Sequence, residues 1–484
     1  MTSKTPESRP GKPAVVFREL SMRPNLEPLV DRVLAERTPV IWLDSARTQT
    51  TTGRWSVVGW DPWLTLTSAG AFSTLRTGAS TITTDGDPFD LLRHVLLSYP
   101  GPVGLPAPIG VGLFVALGYE LNRWIERLPP VALDGATPDL LAYGMRQMVV
   151  VDHELELVWA MSVVDPSAPL HRAAAEAVQR LQRLEDWLTI DSSEPLRDEG
   201  SPIRLEPDMP QAAFESMVRR AQGFIAAGDI FQANLSHRIS GPWSGSPWAL
   251  YRRLRRVNPS SFACFLSAPE LSLVSCSPER LVQVQGRRIV TRPIAGTRPR
   301  GRRPEEDLMN SIELLLSDKE RAEHLMLVDL ARNDLGRVCR FGSVEVDEMM
   351  GLEDYSHVIH LVSNVQGLLR DDVDAVDVIR AVFPGGTITG CPKVRSMEII
   401  QMLEPIRRGF YTGSCGYLGF DGAIDLNILI RTLVIQGDAA SFHVGAGIVA
   451  DSRPEREYRE TLAKAGALLK ALEAEVDSTE HPVR

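Results

Sequence analysis

The stretch SDKERAEHLMLVDLARNDLGRV, Ser317 to Val338, sets Glu320 and Glu323 three residues apart. On a helix that spacing stacks both carboxylates on one face. The same spacing recurs in DSRPEREYRETLAKA, where Glu457 and Glu460 form a second pair. Carboxylates this close repel each other unless a cation offsets them. Four of them, with water, suit Mg²⁺, a hard ion that prefers oxygen ligands and keeps several waters. Such an ion would also recruit an anionic substrate. A plainer reading is open for each pair alone. Ser317–Glu320 and Ser452–Glu455 have capping-box spacing, Pro454 suits a first turn, and acids there favour the helix dipole. Glu323 lies one turn too deep to serve a cap.

Other residues could bind an anion. FPGGTITGCPKVRSMEII, residues 383–400, puts glycine and proline breaks just before a helix. Free backbone N–H groups at such a start suit a phosphate or carboxylate. The stretch lacks the G-x-x-x-x-G-K-[ST] order of a phosphate-binding loop. Gly445 and Gly447 form a second glycine-rich turn; a close backbone approach within a sheet explains them equally well. Arg431, expected to end an apolar strand in LNILIRTL, would need an anionic partner if buried. Lys393 and Arg395 add positive charge near a first helical turn, where such side chains are commonly solvated. His360 alternates with apolar neighbours in a strand-like run and faces either the core or a site. GSCGYLG is no nucleophile elbow, because a strand follows it, so Cys415 and Cys391 read as small packed residues.

The elements that must position these groups are mixed. The chain has 484 residues, 44% hydrophobic and 24% charged, the balance of a globular enzyme. A net charge of −10 gives no pull toward nucleic acid or anionic lipid. No run approaches the ~18 apolar residues of a membrane helix. Five scattered cysteines without CxxC spacing favour reduced thiols, and so a cytoplasmic location, over a zinc site or disulfides. The polar N-terminus lacks the apolar core of a secretion signal. The expected organisation is a disordered lead (1–15), a strand-rich N-terminal region (16–189), a polar linker or loop (190–208), a larger region (209–476) and a disordered tail (477–484). Helices are expected near 171–189, 210–229, 374–382, 391–405 and 454–473, with strands near 412–419, 426–436 and 440–450. The fold class is α+β with antiparallel pairing, without strict βαβ alternation.

Six stretches in order, RPIAGTRPRG, KERAEHLMLVDLARNDLGRV, HLVSNVQG, FPGGTITGCPKVRSMEIIQMLEP, GSCGYLGFDGAIDLNILIRTL and GAGIVADSRPEREYRETLAKA, resemble the chorismate-utilising enzyme family. This group contains anthranilate, aminodeoxychorismate, isochorismate and salicylate synthases. The resemblance spans about 210–475 strongly and the N-terminal IWLDSA…GRWSVVGWDPWLTL more weakly. It implies an anthranilate-synthase-component-I-like fold, with large antiparallel sheets packed face to face and flanked by helices. It also implies a Mg²⁺-dependent reaction on chorismate. The metal would be held by Glu320, Glu323, Glu457 and Glu460, with Glu323 and Glu460 as direct ligands and the other two partly through water. His360 would stand near the C4 hydroxyl as acid or orienting group. Thr387, Tyr411, Arg431 and the backbone at Gly445 and Gly447 would bind the carboxylates, with Lys393 adding charge.

Gln232, in GDIFQANLSHR, falls where water-adding relatives carry a lysine base. Glutamine cannot deprotonate water, so the resemblance implies ammonia as nucleophile. FQANLSHR, SCSPERL, DLNILIRTL and WLDSA are more similar to the aminodeoxychorismate branch, which serves para-aminobenzoate and folate synthesis, than to the anthranilate branch. Ala295, in PIAGT, departs from the PIKGT lysine of some aminodeoxychorismate synthases and matches anthranilate synthases. No glutaminase signature is visible, so ammonia is expected from a separate glutamine amidotransferase subunit. Ser45, in WLDSA, could line a tryptophan-binding pocket; an ordinary strand end is the alternative.

Overall fold

The computed structural model describes residues 14–476, apart from 22–23, 47–51, 79, 100, 102–108, 130–136, 167, 190–203, 302, 355–357 and 474. Most of the expected lead, residues 190–203 of the expected linker and the expected tail lie outside the described residues.

Apart from a short parallel pair of Arg204–Pro207 with Glu475–Val476, the described strands form one antiparallel network that folds into two facing layers. One layer runs in the spatial order Ala14–Glu19, Leu157–Val164, Leu140–Asp152, Trp55–Ala69, Val40–Asp44, Phe262–Ser267, Ser272–Ser277, Thr432–Gln436, Ala439–Ile448 and Gln232–Pro242. The other continues from the first half of Leu140–Asp152 through Gly112–Leu117, Ser414–Gly419, Ile424–Asn427, Arg280–Gln285, Arg288–Thr291 and Val358–Leu368. Ile294–Pro299 and Glu345–Asp354 pair with that last strand. Buried side chains such as Ile41, Val57, Phe114, Leu273, Val282 and Leu426 join one apolar cluster between the layers. A second apolar cluster, with Trp248, Tyr251, Leu254 and Leu468, seats helices on an outer face.

Pairing of Val40–Asp44 with Phe262–Ser267, and of Gly112–Leu117 with Ser414–Gly419, threads the N-terminal strands into the layers built by the C-terminal part. Residues 204–207, expected as linker, form the strand Arg204–Pro207 beside Gln232–Pro242. Ala14 and Val15, expected in the lead, begin the strand that pairs with Leu157–Val164. The helices run Leu170–Thr189, Gln211–Ala226, Ala375–Val382, Lys393–Leu403 and Pro454–Leu472, close to the expected spans. No helix among the described residues is long and apolar enough to cross a membrane.

Candidate active site

The site grows from the inner faces of Gln232–Pro242 and Ala439–Ile448, where Asn234 lies opposite Gly447 and Ser236 opposite Gly445. On the other face Ala233, Leu235, Ala446 and Ile448 bury against helices with Phe214, Ile400 and Tyr458. That burial fixes the register, so the polar and glycine positions must face the site. Gln232 Nε2 donates to Glu323 Oε1 at 2.9 Å. A Cβ at Gly447 would sit 2.4 Å from Gln232 Nε2, and one at Gly445 would sit 2.7 Å from the Tyr411 hydroxyl. Both glycines are therefore close approaches, and the room they leave is occupied by site residues.

The helix Asp318–Gly336 supplies the first acid pair. Ser317 Oγ accepts the Glu320 N–H at 3.4 Å, so half of the expected capping box forms. The Glu320 carboxylate turns to Arg298 at 3.0 Å. Burial pushes the Glu323 carboxyl above its ordinary value; repulsion from Glu320 adds to this, and the Gln232 hydrogen bond opposes it. Helix Pro454–Leu472 supplies the second pair. Arg453, not Ser452, is its N-cap residue. The expected Ser452–Glu455 box is thus corrected: Ser452 Oγ accepts the Val449 N–H, and its hydroxyl hydrogen-bonds Glu457. Burial, with repulsion from Glu460, raises Glu457, while Glu460 pairs with Lys464 at 2.9 Å. Lys319 and Lys464 act on both Glu323 and Glu457, which brings the two acid pairs to one electrostatic neighbourhood.

Arg431 departs from its expected place. The strands stop at Asn427 and resume at Thr432, and Arg431 adopts φ 51°, the left-handed region that is rare for a side-chain-bearing residue and concentrates at functional sites. Its charge reaches both Glu279 and His360. Glu279 was not singled out from the sequence. It is 6% exposed, it accepts the Thr387 hydroxyl at 2.7 Å, and burial pushes its carboxyl up to about 7. Thr387 sits in a short 3₁₀ turn, Gly386–Ile388, whose backbone accepts from Asn234. His360 faces inward from Val358–Leu368, opposite Thr297, with its ring hydrogen-bonded to the Gly296 backbone. Burial and the Arg431 charge depress it to about 4, so it is neutral near pH 7. A neutral imidazole suits the orienting role.

Tyr411 stacks on His443 with ring centroids 5.2 Å apart, and burial pushes its phenol up to about 12. Ala295 is buried on Ile294–Pro299, next to the register shift at Gly296. Lys393 is corrected. Its ammonium is buried, 3.0 Å from Asp334 and 3.0 Å from the Val382 carbonyl, because an enclosed lysine must be fully paired. It ties helix Lys393–Leu403 to the helix of the first acid pair. Arg395 pairs with Asp229 and Glu398. Ser45 lies apart from the glutamates. It lines a cavity of about 50 Å³ with Trp55, Ser261, Phe262, Cys415 and Tyr417. Its hydroxyl donates to the Trp55 carbonyl at 2.7 Å.

The four glutamates fit Mg²⁺ by chemistry, since they offer only oxygen and the two more buried ones are held at a raised pKa that a cation would relieve. Among the described residues, no three carboxylates or imidazoles are already arranged around one point. Arg298 and Lys464 engage Glu320 and Glu460, so those two would exchange a protein cation for the ion.

Comparison with known proteins places the chain in a family. The family model described as chorismate binding enzyme matches residues 38–470. Aminodeoxychorismate synthase component 1 of Bacillus subtilis is 40% identical over 98% of this chain and 99% of its own. Anthranilate synthase component 1 of Thermus thermophilus is 44% identical over 91% of this chain and 94% of its own. The crystal structure of anthranilate synthase component I from Streptococcus pneumoniae superposes with a TM-score of 0.77 at 33% identity, over 87% of this chain and 93% of that one. The chain belongs to the chorismate-binding enzyme family.

Proposed function

We propose that this protein aminates chorismate with ammonia, forming 4-amino-4-deoxychorismate and water, as component I of an aminodeoxychorismate synthase serving para-aminobenzoate and folate synthesis. The observation that carries the aminating reading is the Gln232–Glu323 hydrogen bond. An amide that is neither acid nor base stands beside the acid pair, so the nucleophile must arrive already competent, as free ammonia is. A glutamine amidotransferase subunit would supply it.

Glu323 and Glu460 would bind Mg²⁺ directly, with Glu320 and Glu457 acting partly through water. When bound, the ion would neutralise a substrate carboxylate and act as a Lewis acid. The protein's own groups do the rest. Arg431 and the backbone at Gly445 and Gly447 receive carboxylate oxygens, and Tyr411 closes the wall beside them. Glu279, whose carboxyl burial pushes up to about 7, is suited to give its proton to the departing C4 hydroxyl. Neutral His360 orients that hydroxyl. Similarity to the Bacillus subtilis synthase over nearly both whole chains supports this product. A second reading, anthranilate with release of pyruvate, is supported by Ala295, whose methyl group cannot serve as a nucleophile, and by the Thermus relative. Product mass after incubation with chorismate, ammonium and Mg²⁺ decides. Retained enolpyruvyl means aminodeoxychorismate, free pyruvate with a fluorescent product means anthranilate, and no turnover refutes both.

A further inference from the structure

We propose that Asn234, together with Gln232, forms the subsite that holds ammonia for the reaction; this rests on the aminating reading above and is the same for either product. The two residues are successive same-face positions of the strand Gln232–Pro242, so both side chains point into the site. Gln232 is 4% exposed and gives its amide N–H to Glu323 at 2.9 Å, while its Oε1 is buried and accepts no hydrogen bond among the described residues. Asn234 repeats this arrangement. Its Nδ2 donates to the Thr387 carbonyl at 3.4 Å, and its Oδ1 is buried and likewise accepts nothing. Turning that amide over would set Oδ1 against the Thr387 carbonyl, acceptor against acceptor, so its orientation is determined. The main chain beneath it is held as well. The Asn234 N–H donates to the Thr389 carbonyl at 2.8 Å, and the Asn234 carbonyl accepts from Arg408 at 2.6 Å.

A buried acceptor without a donor is costly, and beside a ligand site it marks where a donor arrives. The chemistry of the reactants selects that donor. Chorismate carries two carboxylates and an enol ether, which only accept, and a single hydroxyl, which His360 is placed to orient. One O–H cannot serve two amide oxygens and that imidazole. Ammonia brings three N–H donors, and hydrogen bonds made through them leave the nitrogen lone pair free to attack. Neutral acceptors also suit ammonia better than a carboxylate would, because a negative charge there favours ammonium, which has no lone pair. The walls agree with a small donor. Gly445 stands against Asn234 Oδ1, where a Cβ would lie 2.8 Å away, and Gly447 stands against Gln232. So close an approach fits a donor of one heavy atom better than a hydroxyl carried on a ring. Gln232 thus meets the metal-binding acid through its N–H and the nucleophile through its oxygen, whereas Asn234 serves the nucleophile alone.

The test is steady-state turnover of the full chain with Mg²⁺ and chorismate at alkaline pH, with ammonium chloride as the sole nitrogen source. The proposal expects Asn234→Ala to raise the KM for ammonia about fivefold, the worth of a neutral hydrogen bond, with the KM for chorismate and the Mg²⁺ requirement within about twofold of wild type. An ammonia KM within about twofold of wild type in the folded variant overturns the subsite. So does a rise confined to the chorismate KM, which would give the acceptor to the substrate hydroxyl. In both cases amination by wild type stands. A wild type that does not aminate chorismate overturns the reaction and the subsite together. Asn234→Asp, which keeps the shape, is the second variant if the alanine variant does not fold. Charged ammonium should then compete for the site, so the KM expressed as free ammonia should climb relative to wild type as the pH is lowered toward neutral. A KM that tracks wild type at every pH overturns the subsite.

Discussion

Gln232 donates its side-chain amide to Glu323 at 2.9 Å, and the missing side chain of Gly447 is what leaves room for it. This bond favours the charged form of a half-buried carboxylate that burial and Glu320 push the other way. Gln232→Ala therefore raises the Glu323 pKa further. The Mg²⁺ needed for half-maximal turnover should rise roughly tenfold, the worth of a hydrogen bond to a charged group, and the acid limb of the pH profile should move up. A metal titration at two pH values reads both effects.

Gly447→Ala tests the same contact from the other strand. A Cβ 2.4 Å from Gln232 Nε2 forces that amide away. The variant should lose about 1–3 kcal/mol of stability, as overpacked sites do, and should reproduce the Gln232→Ala metal requirement. Denaturant unfolding and metal titration on one preparation are sufficient.

Glu279→Gln should trade activity for stability. Turnover should fall by about 10²-fold or more, the usual worth of a positioned acid. With the native residue, turnover per unit of free ammonia should decline as pH rises through about 7, where Glu279 loses its proton. The sign of the stability effect follows from the raised pKa. The folded state holds a proton that the unfolded state releases near its ordinary value of 4.5, so this group costs stability progressively from pH 4.5 to 7. Above pH 7 the glutamine variant should unfold later than wild type, by up to about 3 kcal/mol. It keeps an acceptor for the Thr387 hydroxyl. Melting curves should diverge little at pH 5 and by nearly the full amount at pH 8.

Lys393→Met separates support from chemistry. Removing one partner of a buried pair leaves Asp334 uncompensated, which costs about 3–5 kcal/mol. The chorismate KM of the folded fraction should change less than twofold. A rise of tenfold or more in KM at unchanged stability would return Lys393 to the substrate site.

The acid pairs were legible because their chemistry is written locally: i, i+3 spacing at a helix start is visible in any single chain. The glycines and Gln232 were legible only through resemblance to a family, since nothing near Gly447 in sequence announces a glutamine more than two hundred residues away. Glu279 was missed for the opposite reason. It is one carboxylate in SCSPERL with no spaced partner, and only burial beside Thr387 and Arg431 makes it special. The Ser452 cap failed because Pro454 starts the helix one residue later, leaving the hydroxyl to Val449 and Glu457. Arg431 was placed on a strand by its apolar neighbours, but tertiary packing turns the backbone at Ile428–Arg431 and aims the chain into the site. Strands such as Trp55–Ala69 and Leu140–Asp152 were legible as apolar, β-branched runs, and the facing layers only through the family resemblance; the interleaving of N- and C-terminal strands was not legible, because pairing between distant strands has no local signature.

The central claim is that two distant helix starts share one Mg²⁺-chorismate site. Its most direct test is the Mg²⁺ dependence of ammonium-driven chorismate turnover in wild type, Glu323→Gln and Glu460→Gln, with product mass recorded and folding checked by circular dichroism. The account predicts Mg²⁺-dependent amination by wild type and none by either folded variant. Full turnover by either one, or a wild type indifferent to chelation of Mg²⁺, would contradict it.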